Sequence, residues 1–197
     1  GAVAAGLASG CQQVIAFDMG GTSTDVSRSD ARAGFEYVFR HEVGGAEILA
    51  PALAIESVAA GGGSICDVVD GVLSVGPQSA GASPGPACYG AGGPLTITDV
   101  NLLLGRIDPA RFATPIDVTA ARRAFNAVCA RAGIGPGEEA RRDGLLQGFL
   151  DLANERMAGA IGRVSARKGY DPAECALVAF GGAGGQHACA VAERLGI

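Results

Sequence analysis

The sequence predicts an α/β protein, a mixed sheet with helices packed against it. Three features point there. Residues 13–19 (QVIAFDM) are a short apolar run ending at glycine, which reads as a buried strand. Residues 24–29 and 35–40 extend it into a small antiparallel meander. Residues 139–168 carry apolar side chains at 146, 149, 150, 153, 157, 160, 161 and 164, one face of a single long helix. Residues 176–180 (ALVAF) read as a second buried strand, which turns through glycines into a helix over 186–195.

The other elements follow in chain order. The opening GAVAAGLASG reads as the tail of a helix. Ile65–Val69 and Val72–Val75 flank Asp70-Gly71, a hairpin signal. Residues 76–94 hold four prolines and six glycines, so no regular helix forms there. Their scarcity of charge favours an ordered loop, and a loop of that length is usually functional or disordered. Asp117 stands ready to cap a helix over Thr119–Ala132, which stops at Gly133. Gly169 and Asp171-Pro172 end the long helix.

Composition excludes several classes of function. At 197 residues the length suits one domain, and 48% hydrophobic with 18% charged residues is not a disordered chain. A net charge of −5 argues against a nucleic-acid partner. Lys168 is the single lysine among 15 basic residues, so there is no polybasic lipid patch. No apolar run reaches the roughly 18 residues of a membrane span, and the start lacks the basic region of a signal peptide. The six cysteines form no C-x-x-C pair and read as the reduced, buried thiols of a cytoplasmic protein. Both ends read as cuts through a longer chain, since AERLGI stops where another strand is expected.

Two glycine turns could carry chemistry. In the first, Asp18 and Asp25 flank Gly20, Gly21, Thr22, Ser23 and Thr24. Glycine lets the backbone approach a phosphate, and the hydroxyls add uncharged donors. Carboxylates beside a phosphate repel it unless a hard cation such as Mg²⁺ lies between them. The segment thus reads as a phosphate–Mg²⁺ loop or, more plainly, as a hairpin with polar turn residues. It is neither a P-loop nor a dinucleotide-binding fingerprint. The second turn, Gly181, Gly182, Ala183, Gly184, Gly185 and Gln186, opens a helix whose N–H groups could hold an anion, and its bare backbone suits a flat adenosine. It could equally be an ordinary tight strand-to-helix turn.

Further candidates are less specific. Gly61, Gly62, Gly63 and Ser64 form an anion nest or a hinge. Asp99, after Thr96 and Thr98, either caps a helix at 100–105 or meets substrate. His187 is a polar site residue or a helix-capping or solvated one. Cys88 has no basic residue near it in sequence to activate it as a nucleophile.

Together these segments resemble the ATP-dependent hydantoinase/5-oxoprolinase family. The matching stretches are FDMGGTSTDVS (17–27), VAAGGGSI (58–65), VGPQSAGASPGPACYGAGGPLTITDVNLLLGRI (75–107) and FGGAGGQHACAVAERLGI (180–197). They run through most of the chain in the family's order, and the last looks most like the 5-oxoprolinases. The resemblance implies an actin-like (ribonuclease-H-like) ATPase fold. Residues 1–197 would be a partial hydantoinase/oxoprolinase domain, mostly the second lobe, with residues 44–115 a family-specific Gly/Pro-rich insertion. It implies ATP and Mg²⁺, with Asp18 and Asp25 as catalytic and metal-holding residues. Gly20–Thr24 would take phosphate, Gly181–Gln186 adenosine, and Gly61–Ser64, Asp99 and His187 the substrate. The implied activity is phosphorylation of the carbonyl oxygen of a cyclic amide before ring opening, completed by a hydantoinase B-type half or subunit in an oligomeric whole protein. An acetone- or acetophenone-type carboxylase subunit and a non-catalytic actin-like nucleotide-binding module are the alternatives. The segment alone is expected to be inert. It offers half of an interlobe cleft, with no lysine near the phosphate loop and no arginine closer in sequence than Arg28.

Overall fold

Helix α1 (Ala2–Ala8) leads into strand β1 (Gln13–Met19), which turns through residues 20–23 into strand β2 (Thr24–Asp30). The computed structural model describes residues 1–30, 32–112 and 114–197, so position 113 of the 44–115 insertion lies outside the described residues. Six short strands come next: β3 (Gly34–Phe35), β4 (Tyr37–Val38), β5 (His41–Val43), β6 (Ala46–Ile48), β7 (Ala52–Leu53) and β8 (Glu56–Val58). Strands β9 (Ser64–Val69) and β10 (Val72–Ser79) form the hairpin expected around Asp70-Gly71, and both turn residues have positive φ. Helices α2 (Ile97–Leu103), α3 (Val118–Arg131) and α4 (Glu139–Lys168) follow, then strand β11 (Ala176–Phe180) and helix α5 (Gly184–Leu195).

The main sheet is mixed, as expected. Strand β1 lies at its centre, parallel to β11 on one side and antiparallel to β2 on the other. Strand β2 continues to β8 at its start and β3 at its end. The run expected as one strand over 35–40 is instead split. Strand β3 stays with β2, whereas β4 leaves to pair with β7.

Side-chain alternation along β1 assigns its two faces. Ile15, Phe17 and Met19 enter the main core with Phe149, Leu150, Met157 and Ile161 of α4 and Val191 of α5. Val14 faces α1, which comes so close that a Cβ on Gly6 would stand 2.3 Å from Val14 Cγ2. The periodic apolar stripe of α4 is therefore its core face, and Gly169 ends the helix in the left-handed conformation, φ 72°. Helix α2 starts three residues earlier than Asp99 suggests. Thr96 is its N-cap, and Asp99 sits in the first turn and accepts from Thr96 N at 2.8 Å.

Candidate functional site

Parallel pairing of β1 with β11 sets the two glycine turns side by side at one end of the sheet. Asp18 is in register with Phe180, and Ala183 N donates to Met19 O at 3.0 Å. Gly181 makes this contact possible. Its φ is +84°, and an added Cβ would stand 2.4 Å from Met19 O and 2.5 Å from Asp18 Oδ1. The first turn closes through Gly20 N donating to Ser23 O at 3.0 Å. Among the described residues, the N–H groups of Gly21, Thr22 and Ser23 and the hydroxyls of Thr22 and Ser23 meet no acceptor in the chain. These are the free donors a phosphate needs.

Asp18 and Asp25 stand opposite each other in the β1–β2 register, so both carboxylates lie on the face that α1 covers further along. Asp25 Oδ1 accepts from Ser57 Oγ at 2.5 Å. Two hard oxygen donors at the base of a turn rich in free N–H groups suit a divalent cation shared with phosphate. No group of three or more His, Cys, Asp or Glu gathers among the described residues. Two carboxylates alone would fill only part of a coordination sphere, and Mg²⁺ generally keeps several waters.

Other expected site residues turn out to be committed to the fold. Thr24 is fully buried and its hydroxyl donates to Ala60 O at 2.6 Å, so it faces away from any phosphate. The 61–64 segment is no nest for substrate. Gly62 N donates to Gly20 O at 3.0 Å, Gly63 N to Gly21 O at 2.6 Å, Gly61 N to Ser64 Oγ at 2.9 Å, and Ser64 N to Gly61 O at 3.0 Å. With every backbone N–H used, the triglycine braces the first turn from behind. It must be glycine to lie so close, since a Cβ on Gly61 would stand 2.6 Å from Gly21 O.

Asp99 is likewise fully buried. It accepts from Ala87 N, Cys88 N, Thr96 N and Thr96 Oγ1 at 2.7–3.1 Å, pinning the Gly/Pro-rich loop to α2 rather than facing a substrate. Burial and then the Asp99 carboxylate hold the Cys88 thiol far above its usual range, which removes it as a nucleophile.

His187 is fully buried between Asn101 and Asn154, neither solvated nor open to a ligand. Burial, and secondarily the charge of Arg106, lowers its pKa to about 4. The unfolded chain takes up a proton near pH 6.5, and the folded chain does not until about pH 4. Stability from this residue is therefore complete above pH 6.5 and declines as pH falls to 4, by about 3 kcal/mol in all. Urea denaturation of the wild type and of His187→Gln at pH 4.5, 5.5 and 7 should show this loss in the wild type alone. Parallel pH dependence in the two proteins would contradict the assignment.

On the α2 side of the two turns, opposite the carboxylates, lies a cleft of about 140 Å³. Gly20, Gly21, Gly62, Gly182, Ala183 and Gln186 line it together with Thr98, Ile107, Tyr89 and Phe112. The ring centroids of Tyr89 and Phe112 are 6.2 Å apart. Sequence reasoning missed this aromatic wall, and it missed Arg106, whose Nη1 lies 3.2 Å from Gln186 O. Arg106 is thus the arginine beside the second turn. Arg28 is engaged with Glu36 and Tyr170 along β2. Arg106 is the first basic residue after a stretch, 43–105, that has none, and this was the one available signal.

A match to the Hydantoinase/oxoprolinase family covers residues 1–197. The chain belongs to the hydantoinase/oxoprolinase family. It is 44% identical to the 5-oxoprolinase PfmaA of Pestalotiopsis fici over 98% of its own length and 16% of that protein. It is 40% identical to the caprolactamase subunit alpha of Pseudomonas jessenii over 95% of its length and 27% of the relative. The crystal structure of ATP-dependent caprolactamase from that organism superposes with a TM-score of 0.84 at 36% identity, covering 98% of this chain and 28% of the other. Nucleotide-free acetone carboxylase superposes with a TM-score of 0.82 at 25% identity, covering 98% and 27%. The chain thus has the α/β fold of this family and spans about one sixth of the length of its 5-oxoprolinase relatives. Among the described residues no helix is long and apolar enough to cross a membrane.

Proposed function

We propose that this hydantoinase/oxoprolinase segment carries part of the ATP site of an enzyme that opens 5-oxoproline or a related cyclic amide. The observation that carries the reading is the junction of the two glycine turns. Ala183 N on Met19 O locks a turn with free N–H donors against a glycine-rich helix start. In this reading residues 21–23 hold phosphate, Asp18 and Asp25 hold Mg²⁺ through water, and Gly182–Gln186 lie under adenosine. Bound MgATP supplies the phosphoryl group that turns the amide carbonyl into an electrophile water can attack. The chain's own part is to orient the phosphates by backbone donors that need no rearrangement during reaction. Its cleft of about 140 Å³ is small beside the 300–1,000 Å³ of typical ligand sites. The opposite wall of the site then belongs to another lobe, with this segment as most of the second. Ring opening is completed by a hydantoinase B-type half or subunit, in keeping with a relative named as a subunit alpha.

Substrate-stimulated ATP hydrolysis by the whole protein tests this. 5-Oxoproline should raise phosphate release severalfold and yield glutamate. Ketone carboxylation is the second reading, favoured by the likeness to acetone carboxylase. Stimulation by acetone with bicarbonate, and none by cyclic amides, would establish it instead.

A further inference from the structure

Helix α2 is linked to each glycine turn through one intermediary, Gly62 for the first and His187 for the second. At its start Thr98 N and Thr98 Oγ1 donate to Gly62 O at 2.8 and 2.9 Å, and Gly62 N donates on to Gly20 O. One turn later Asn101 Nδ2 lies 3.1 Å from His187 Nε2, in the first turn of α5 and next to Gln186 in the cleft. His187 Nδ1 lies 2.7 Å from Asn154 Oδ1 on α4. The two contacts agree on one arrangement: Nδ1–H donates to Asn154, and Nε2 accepts from Asn101.

Apolar packing alone would hold α5 against α4. Here three polar side chains, Asn101, Asn154 and His187, are buried instead, and Asn101 Oδ1 meets no partner among the described residues. Burying an unpaired polar atom is costly, so a core chosen for stability alone would not keep it. What the arrangement adds over apolar packing is direction. It sets the distance and angle between the start of α5 and the turn braced by Gly62.

We infer that Asn101 and His187 are positioning residues for the nucleotide, linking the 181–186 turn through α2, Thr98 and Gly62 to the 20–23 turn. Neither touches the ligand. They keep adenosine and phosphate subsites in register, and the inference rests on the ATP reading above.

The two ring nitrogens can be tested separately. In His187→Gln the amide reaches the place of Nε2 and keeps the link to Asn101. In His187→Asn the amide takes the place of Nδ1, keeping Asn154 and losing Asn101. In the whole protein, the KM for ATP should rise about tenfold in His187→Asn and in Asn101→Ala, the scale of one lost buried hydrogen bond. It should stay within about threefold in His187→Gln, with kcat and the KM for 5-oxoproline little changed in all three. A merely structural role would lower melting temperature without separating the Asn and Gln variants. Equal KM values in those two, or an unchanged KM in Asn101→Ala, would overturn the inference. So would failure of both His187→Asn and Asn101→Ala to fold, which would assign the pair to the core alone. ATP binding is measured first on the unmodified protein. Its absence there would instead defeat the ATP reading itself.

Discussion

Asp18→Ala and Asp25→Ala are each expected to lower ATP turnover of the whole protein by at least about 100-fold, the scale of losing one preorganised charge-stabilising group. Both residues sit on the open part of the sheet face, half-buried. Asp25 has one side-chain partner, Ser57, at 2.5 Å. Removing either therefore costs little stability, and the melting temperature should move by no more than a few degrees. Steady-state phosphate release at several Mg²⁺ concentrations, with a thermal melt of each variant, checks both halves. Near-normal turnover with wild-type Mg²⁺ dependence would remove the carboxylates from the metal site.

Gly181→Ala is expected to be the most damaging small substitution at the site. The residue has φ +84°, and its Cβ would press on Met19 O and Asp18 Oδ1 at 2.4 and 2.5 Å. Met19 O is backbone and already accepts from Ala183 N, so it cannot swing aside. Left-handed backbone and overpacking together cost about 2–4 kcal/mol. The shift also separates the two turns, so ATP affinity falls with stability. Gly182→Ala is the control. Nothing lies within 4 Å of its Cβ, and stability should change by less than about 0.5 kcal/mol. Gly184 has only ordinary contacts, from 3.7 Å outwards. Urea denaturation of Gly181→Ala and Gly182→Ala makes the comparison, and equal stability would contradict it.

What was legible in the sequence is what local pattern encodes. The stripe on α4, the apolar runs of β1 and β11 and the Asp70-Gly71 hairpin each follow from period and turn chemistry within a few residues. The flanking of the turn by Asp18 and Asp25 was legible, and the strand register then sets the two opposite each other. Residues whose role depends on distant partners were not decided by local pattern. Thr24 looked like a phosphate donor until Ala60, 36 residues away, claimed its hydroxyl. The triglycine looked like a nest because nothing local shows that its N–H groups are spent on Gly20 and Gly21. Asp99 reads in sequence as a helix cap or a substrate contact, and His187 as a site residue or a structural one; burial makes both anchors. Arg106 and Gln186 meet across a separation of 80 residues. Local pattern carries secondary structure well. Whether a given donor is free is decided by tertiary packing.

The central claim is that the two turns joined by Ala183 N and Met19 O form one wall of an ATP site. A crystal structure of the whole protein with Mg²⁺ and a non-hydrolysable ATP analogue tests it most directly. The account predicts phosphate oxygens within hydrogen-bond distance of the N–H groups of residues 21–23, a cation between those phosphates and the carboxylates of Asp18 and Asp25, and adenosine against Gly182–Gln186. Nucleotide bound elsewhere, such as the groove of about 560 Å³ lined by Phe125, Arg122 and Arg142, with both glycine turns bare, would contradict it.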